Sequence, residues 1–177
     1  MKKITITIIV LLAFCMGCKE KHCPAFPANL NYFPYYKGQE LEFTNLQNDI
    51  CIFVISDKDN SKEYSTSRTN KATCSAESYA NLSKDSLTLA CKIRIGGGVP
   101  SVFIDCFIKN NKLEELLFKQ VNIPRTCPYN KISEHLSDTI FIENENNKLI
   151  QKIVIVKDKG LVSYTTVDGE KWVFREF

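Results

Sequence analysis

Apolar and polar residues alternate through most of this chain after residue 40, the period-2 signal of half-buried β-strands. Leu41 and Phe43 alternate with Glu40, Glu42 and Thr44, and Gln47-Asn48-Asp49 supplies a turn before a second apolar run at residues 51–56. This predicts a first hairpin. Strands are expected at 72–79, 86–95 and 99–108; in the second, Leu87, Leu89, Cys91, Ile93 and Ile95 share one face while Thr88, Lys92 and Arg94 share the other. Residues 57–71 are polar and read as a long connection with a short strand around Tyr64. Residues 112–121 carry apolar side chains at 113, 116, 117 and 121, a helical spacing, yet they follow Asn110-Asn111 in a position that also suits a hairpin strand. Both readings stay open there. Pro124, Cys127 and Pro128 mark an irregular link, and "YNKISEHLSD" has room for one helical turn.

The C-terminal third alternates most clearly: "DTIFIEN", a turn at "ENNK", "LIQKIVIVKDKG", then "LVSYTTVDGEKWVFREF". Asp168-Gly169 between apolar alternations predicts a tight hairpin of type I′, since glycine adopts positive φ readily. Ile153 and Ile155 face one way and Val154 and Val156 the other, which places that strand in the interior of a sheet or under a covering element. No repeat of solenoid period is present. The fold class expected is all-β: an antiparallel meander forming a sandwich or small barrel, with at most one or two short helices.

The N-terminus breaks this pattern. Lys2 and Lys3 precede an uncharged apolar run over residues 4–16 that ends at Gly17, the layout of a secretory signal. Spanning a bilayer takes about 20 residues, so these 13 are too few. Gly17 directly before Cys18 resembles the bacterial lipobox, although Cys15 stands where leucine is usual. The organisation expected is 1–17 lipoprotein signal peptide, 18–22 lipidated charged tether and 23–177 single β domain. The resemblance to the lipobox implies that Cys18 becomes the mature N-terminus, anchored by palmitate-type acyl chains. Cys15-x-x-Cys18 also has the spacing of a redox or metal pair, but such a pair belongs at a strand-to-helix junction inside a folded domain. His22 precedes Cys23, so no haem-attachment motif is formed.

Processing changes the cysteine count. Cys15 leaves with the signal and Cys18 is consumed by lipid, leaving Cys23, Cys51, Cys74, Cys91, Cys106 and Cys127. An even set in an exported chain fits up to three disulfides, and the paired spacings of zinc sites are missing; several merely buried thiols are the plainer alternative. Folding about Ser83 would set Cys91 opposite Cys74, and folding about Gly98 would set it opposite Cys106. The second pairing is preferred. Net charge is +3 with 23 basic and 20 acidic residues; without Lys2 and Lys3 it is +1, which carries no footprint for nucleic acid. The apolar share, 44% of 177 residues, is that of an ordinary globular core.

"CPAFP…L…FPY…G..L.F.N", residues 23–45, and "IVKxKGLVSYTTxDGExW", residues 155–172, resemble small cysteine-containing lipoproteins of the Bacteroidetes group. The resemblance covers the two ends and only thinly residues 57–135. It implies an outer-membrane destination, periplasmic or surface-facing, and brings no activity with it. It also implies candidate O-glycosylation at Ser86 in Asp85-Ser86-Leu87 and at Thr139 in Asp138-Thr139-Ile140.

Candidate chemistry is sparse. His135 lies near Ser133, Ser137 and Asp138, but local crowding is no catalytic triad, and a surface turn is the better reading. Gly96-Gly97-Gly98 is followed by neither a G-K-[ST] motif nor a helix, so it reads as a hairpin tip. Phe26, Tyr32, Phe33, Tyr35 and Tyr36 form either an exposed aromatic binding surface or a lid over one end of the core, the lid being preferred. Trp172 is expected in the core. No catalytic residue, metal or cofactor is assigned. The function expected is a non-catalytic, lipid-anchored envelope module that binds an envelope protein, a glycan or a small apolar ligand. A lipocalin-like carrier would need Ile93, Ile104 and Val154 to line a cavity; an envelope glycan or peptide hydrolase would need Asp105, Glu143 or Asp138 to converge in a cleft.

Overall fold

The computed structural model describes residues 23–66, 72–96 and 101–175, so the leader, the tether and Cys18 lie outside the described residues, as do residues 97–100 of the Gly-rich tip. Ten strands follow one another: β1 (Glu40–Thr44), β2 (Ile50–Thr66), β3 (Ala72–Lys84), β4 (Leu87–Gly96), β5 (Ser101–Lys109), β6 (Glu114–Asn122), β7 (Thr139–Glu143), β8 (Ile150–Val156), β9 (Gly160–Thr166) and β10 (Lys171–Phe174). A 3-10 helix, Tyr129–His135, lies between β6 and β7. All strands belong to one antiparallel sheet in the order β6-β5-β4-β3-β2-β1-β10-β9-β8-β7. The sheet curls into a nearly closed barrel, because β6 and β7 come together at its two edges. Side chains bridge that seam. Lys119 Nζ donates to the Phe141 carbonyl at 2.9 Å, and the Glu115 carboxylate accepts the amides of Lys148 and Leu149. Edge groups that would otherwise be orphaned are satisfied without a strand ladder.

Alternation reads out directly as burial. On β4 the inward residues Leu89, Cys91, Ile93 and Ile95 are buried while Thr88, Lys92 and Arg94 are only half covered. Ile153 and Ile155 on β8 point inward, and that strand lies between β9 and β7. Val154 falls on the outer, half-buried face, which removes it from any interior lining. The stretch 112–121, open between helix and strand, is strand from Glu114 onward, as β6 in antiparallel register with β5 (Cys106↔Leu117). Its outward positions include Phe118, which stacks on Phe103 across the strands with ring centroids 6.1 Å apart.

Two expectations are corrected. Residues 57–66 are no loop: they continue β2 in unbroken pairing with β3 from Asp57↔Asn81 to Thr66↔Ala72. Antiparallel backbone pairing sustains polar positions wherever a strand is solvated, so polarity alone did not mark a connection. The register shift between Ile55 and Asp57 absorbs a bulge at Ser56. The Asp168-Gly169 hairpin is also not type I′, because only Gly169 has positive φ (83°). Its amide bonds the Thr166 carbonyl at 3.0 Å and the Thr166 amide bonds the Glu170 carbonyl at 3.0 Å, a three-residue loop with glycine in the left-handed position.

Residues 23–39, rich in proline and aromatics, form neither helix nor strand. They are tied to one end of the barrel: the Asp158 amide donates to the Asn31 carbonyl at 2.7 Å, and Gly38 and Gln39 exchange bonds with Ile55 at 2.8 Å each. Phe26, Leu30, Tyr32, Phe33 and Tyr35 are buried in the same cluster as the inward strand residues. This segment covers the end where β2–β6 run on past the shorter β7–β10, so apolar residues there are not left facing water.

Candidate functional site

With that end covered, the turns at the other end define an opening. The loops at residues 45–49, 85–86, 110–113, 144–149 and 167–170 all lie there, since the register sets Thr44 opposite Ile50, Lys84 opposite Leu87, Lys109 opposite Glu114, and Ile150 opposite Thr166. Between them is a cleft of about 460 Å³, within the size range of small-molecule sites. One wall carries Cys51, Lys84 and Leu87; the facing wall carries Leu149, Tyr164 and Trp172, with Lys148, Asp168 and Glu170 at the rim.

Each lining group is held by its neighbours. Trp172 lies parallel to Tyr164, with centroids 6.1 Å apart and planes at 5°, and its indole N–H donates to Glu170 Oε2 at 3.0 Å. Asn45 on the adjacent β1–β2 hairpin donates to the other Glu170 oxygen at 2.6 Å and to Asp49 at 2.9 Å. Asp168 accepts the Thr166 hydroxyl and, at 3.4 Å, the Glu170 amide; those bonds hold its carboxyl below the usual carboxylate range. At the floor, Cys51 Sγ meets the Tyr164 hydroxyl at 3.2 Å and Lys84 Nζ at 3.3 Å. Burial, then the bond to Cys51, pushes the Tyr164 phenol well up, so it remains a proton donor near neutrality.

The predicted site residues are distributed differently from this cleft. Cys23 is bonded to Cys74, with Cα atoms 5.3 Å apart. Folding about Ser83 does not occur: β3 and β4 turn at Asp85-Ser86, which places Cys91 beside Ala80 instead of Cys74. Cys91 lies directly opposite Cys106 with sulfurs 2.8 Å apart, both buried. Cys127 is half-buried on the link after β6. Four of the five N-terminal aromatics cannot form an exposed surface, because Phe26, Tyr32, Phe33 and Tyr35 are buried; Tyr36 alone is exposed, at 69%. Tyr32 donates to the Ser137 carbonyl at 2.7 Å, and Tyr35 accepts the Leu161 amide. Ser86 is exposed at the rim of the cleft and Thr139 begins β7 half-buried.

The barrel-like fold is compatible with a lipocalin-like carrier, but its interior is filled among the described residues. Ile93 and Ile104 face each other across β4 and β5 and, like Phe43, Phe53 and Ile155, are 0% accessible, so no carrier cavity opens beside them. Asp105 pairs with Arg94 at 3.2 Å, Glu143 with Lys152 at 3.2 Å and Asp138 with Lys157 at 3.9 Å; each carboxylate faces its own basic partner. His135 is exposed, and Ser133 accepts from Asn29 at 3.0 Å. Among the described residues no group of three metal-ligating side chains comes together.

Sequence reasoning missed the cleft. Lys84 stands 80 positions before Tyr164 and on a different hairpin from Tyr164 and Glu170, and only the tertiary arrangement of the strands brings it to them. The one available signal was that Trp172 and Tyr164 sit at facing positions of a hairpin. The chain matches no protein-family model, no curated protein and no solved structure, so the functional reading rests on this geometry.

Proposed function

We propose that this protein is a non-catalytic, lipid-anchored module of the outer membrane that receives a small amphipathic ligand in the cleft at the open end of its barrel. The observation that carries the reading is the cleft itself: a stacked Tyr164–Trp172 platform with Leu149 beside it faces Leu87 and Lys84 and is rimmed by Lys148, Asp85, Asp168 and Glu170. Apolar and aromatic walls with a few placed polar groups are the usual build of a small-ligand site. The filled interior favours binding at the mouth over a lipocalin-like central cavity.

Anchoring at Cys18 gives this site a direction. Cys23 is joined to Cys74 near the far end of β3, and the five residues from Cys18 to Cys23 reach at most about 18 Å. An anchored barrel therefore meets the membrane with its covered end, and the cleft opens away from the lipid.

Trp172 is the only tryptophan, so its fluorescence reports on the cleft. Titration with an anilinonaphthalene sulfonate dye should quench Trp172 saturably in the native protein, and Trp172→Ala with Tyr164→Leu should abolish the dye's own enhancement. Dye enhancement unchanged in that double variant would reject the cleft as the site. Anchoring is tested separately by fractionating cells that express the wild type and Cys18→Ala; identical partition into detergent would reject it.

A further inference from the structure

We infer that the cleft takes an anionic ligand: a small acid whose carboxylate is received at the floor by Lys84 and the Tyr164 hydroxyl, while its flat apolar body lies against Trp172. This ligand class rests on the reading of the cleft as a ligand site. On β3 the inward positions run Ala76, Ser78, Ala80 and Leu82, all buried. Lys84 is the next of that series, and it pairs with Leu87, the inward residue of β4 before Leu89. A lysine therefore stands in the core-facing register. Alternation reserves such a place for an apolar side chain, and departures of that kind are expected where a site is built.

The protein does not answer that charge. Lys92 lies 3.1 Å from Glu77, Lys152 3.2 Å from Glu143 and Lys157 3.9 Å from Asp138, whereas among the described residues no carboxylate comes within ion-pair reach of Lys84 Nζ. The ammonium turns to the Cys51 sulfur at 3.3 Å, and the Tyr164 hydroxyl donates to the same sulfur at 3.2 Å. Two donors share one thiol, a weak acceptor. The acids of the cleft are engaged or stand outside it. Glu170 accepts from the Trp172 indole and from Asn45, and Asp168 from the Thr166 hydroxyl. Asp85 and Asp168 are exposed at the rim, where water and salt screen them, and Lys148 adds a second cation there. What remains unmatched at the floor is positive charge and donor capacity.

A carboxylate supplies what the sulfur does not. It accepts charge-assisted hydrogen bonds, which are shorter and stronger than neutral ones. Lys84 Nζ and the Tyr164 hydroxyl are both within hydrogen-bond distance of one atom, a span that the two oxygens of a single carboxylate can bridge. Above them Trp172 and Leu149 on one wall and Leu87 on the other enclose the body of the acid in the cleft of about 460 Å³. A cationic ligand would meet Lys84 at the floor, and a neutral one would leave the ammonium without a counterion in a partly dry site.

The test uses the full-length protein in detergent and probes that share one naphthalene ring: naphthoate, naphthylmethylammonium and naphthalenemethanol. Each is titrated calorimetrically, with the detergent-alone titration subtracted, and displacement of the anilinonaphthalene sulfonate dye locates it in the cleft. Naphthoate should bind at least about tenfold tighter than the alcohol or the amine, as a hydrogen bond to a charged group implies, and added salt should narrow the gap. Lys84→Met should bring naphthoate to within about threefold of the alcohol, Lys84→Arg should keep the preference for the acid, and Tyr164→Phe should weaken naphthoate about fivefold. Unfolding temperatures show which variants are folded. Equal binding of the probes by the wild type, a preference for the amine, or a naphthoate preference that survives in folded Lys84→Met would overturn the inference; if Lys84→Met does not fold, the order of the probes in the wild type decides. Failure of the cleft reading looks different. If no probe binds and the dye is not displaced, the ligand site itself is rejected and its ligand class with it, whereas binding without preference for the acid leaves the site and removes only the class.

Discussion

Replacing Gly160 with alanine should be among the most damaging single-methyl changes available in this protein. Gly160 opens β9 with φ of 86°, and a Cβ built there would come within 2.8 Å of Tyr35 Cε1 and closer still to the ring hydroxyl. The proximity has a structural cause. Ile155 pairs with Leu161 while Val154 pairs with Ser163, so Val162 is an extra residue on β9. At this irregularity the Leu161 amide is directed to the Tyr35 hydroxyl. Three costs follow: a side chain in left-handed backbone, about 1–2 kcal/mol; displacement of the phenol into a packed interior, about 1–3 kcal/mol; and a buried amide left unpaired, about 1–3 kcal/mol. Neighbouring effects do not add fully, so Gly160→Ala is expected to cost at least about 3 kcal/mol, a large part of the roughly 5–15 kcal/mol that holds a domain. Urea unfolding followed by Trp172 fluorescence under non-reducing conditions measures it. In a Tyr35→Leu background the clash and the bond are already gone, and the same substitution should cost only about 1–2 kcal/mol. A cost below about 1 kcal/mol in the wild type, or an equal cost in both backgrounds, would refute the packing argument.

Other expectations are equally direct. Non-reducing peptide mapping should join Cys23 to Cys74 and Cys91 to Cys106; the second closes a loop of about 15 residues and should contribute roughly 3 kcal/mol in the chain-entropy model, and finding Cys91 free or joined elsewhere rejects it. Burial, with Asp138 and Asp158 nearby, pushes the Tyr32 phenol up to about 12. Because the folded value lies above the ordinary one near 10, the stability it contributes is intact below pH 10 and is lost as pH rises towards 12. Tyr32→Phe should therefore flatten the alkaline loss of stability over that window, and an unchanged slope in urea titrations would contradict this. Glu115→Ala should destabilise by about 1–3 kcal/mol by stripping the carboxylate from two loop amides across the seam, read by hydrogen exchange at Lys148 and Leu149; unchanged protection there would show that the bridge is dispensable. Thr166→Val should raise the Asp168 pKa in a carboxylate NMR titration, and no change would remove the hydroxyl as the cause of its depression.

The class of fold was legible in the chain because side-chain period maps directly onto burial. Leu89, Cys91, Ile93 and Ile95 against Thr88, Lys92 and Arg94, and Ile153 and Ile155 against Val154 and Val156, needed no tertiary information to be assigned to faces. The Cys91–Cys106 register was readable for the same reason, since a short Gly-rich tip leaves few ways to fold. Turn detail was less accessible: Asp168-Gly169 marks a hairpin, but whether Asp168 itself takes positive φ depends on how Thr166 and Glu170 bond around it. Local polarity misassigned residues 57–66, because a solvated antiparallel ribbon is held by backbone bonds that side-chain pattern does not record. The aromatic segment was ambiguous until the unequal strand lengths left an uncovered end for Phe26, Tyr32, Phe33 and Tyr35 to fill. The cleft was beyond reach of any local reading. Cys51, Lys84, Tyr164 and Trp172 stand on four different strands, and only the closure that joins β10 to β1 and brings β7 to β6 sets the second hairpin group against the first. Strand faces follow from neighbours two residues apart, whereas a site at a barrel mouth follows from where distant turns meet.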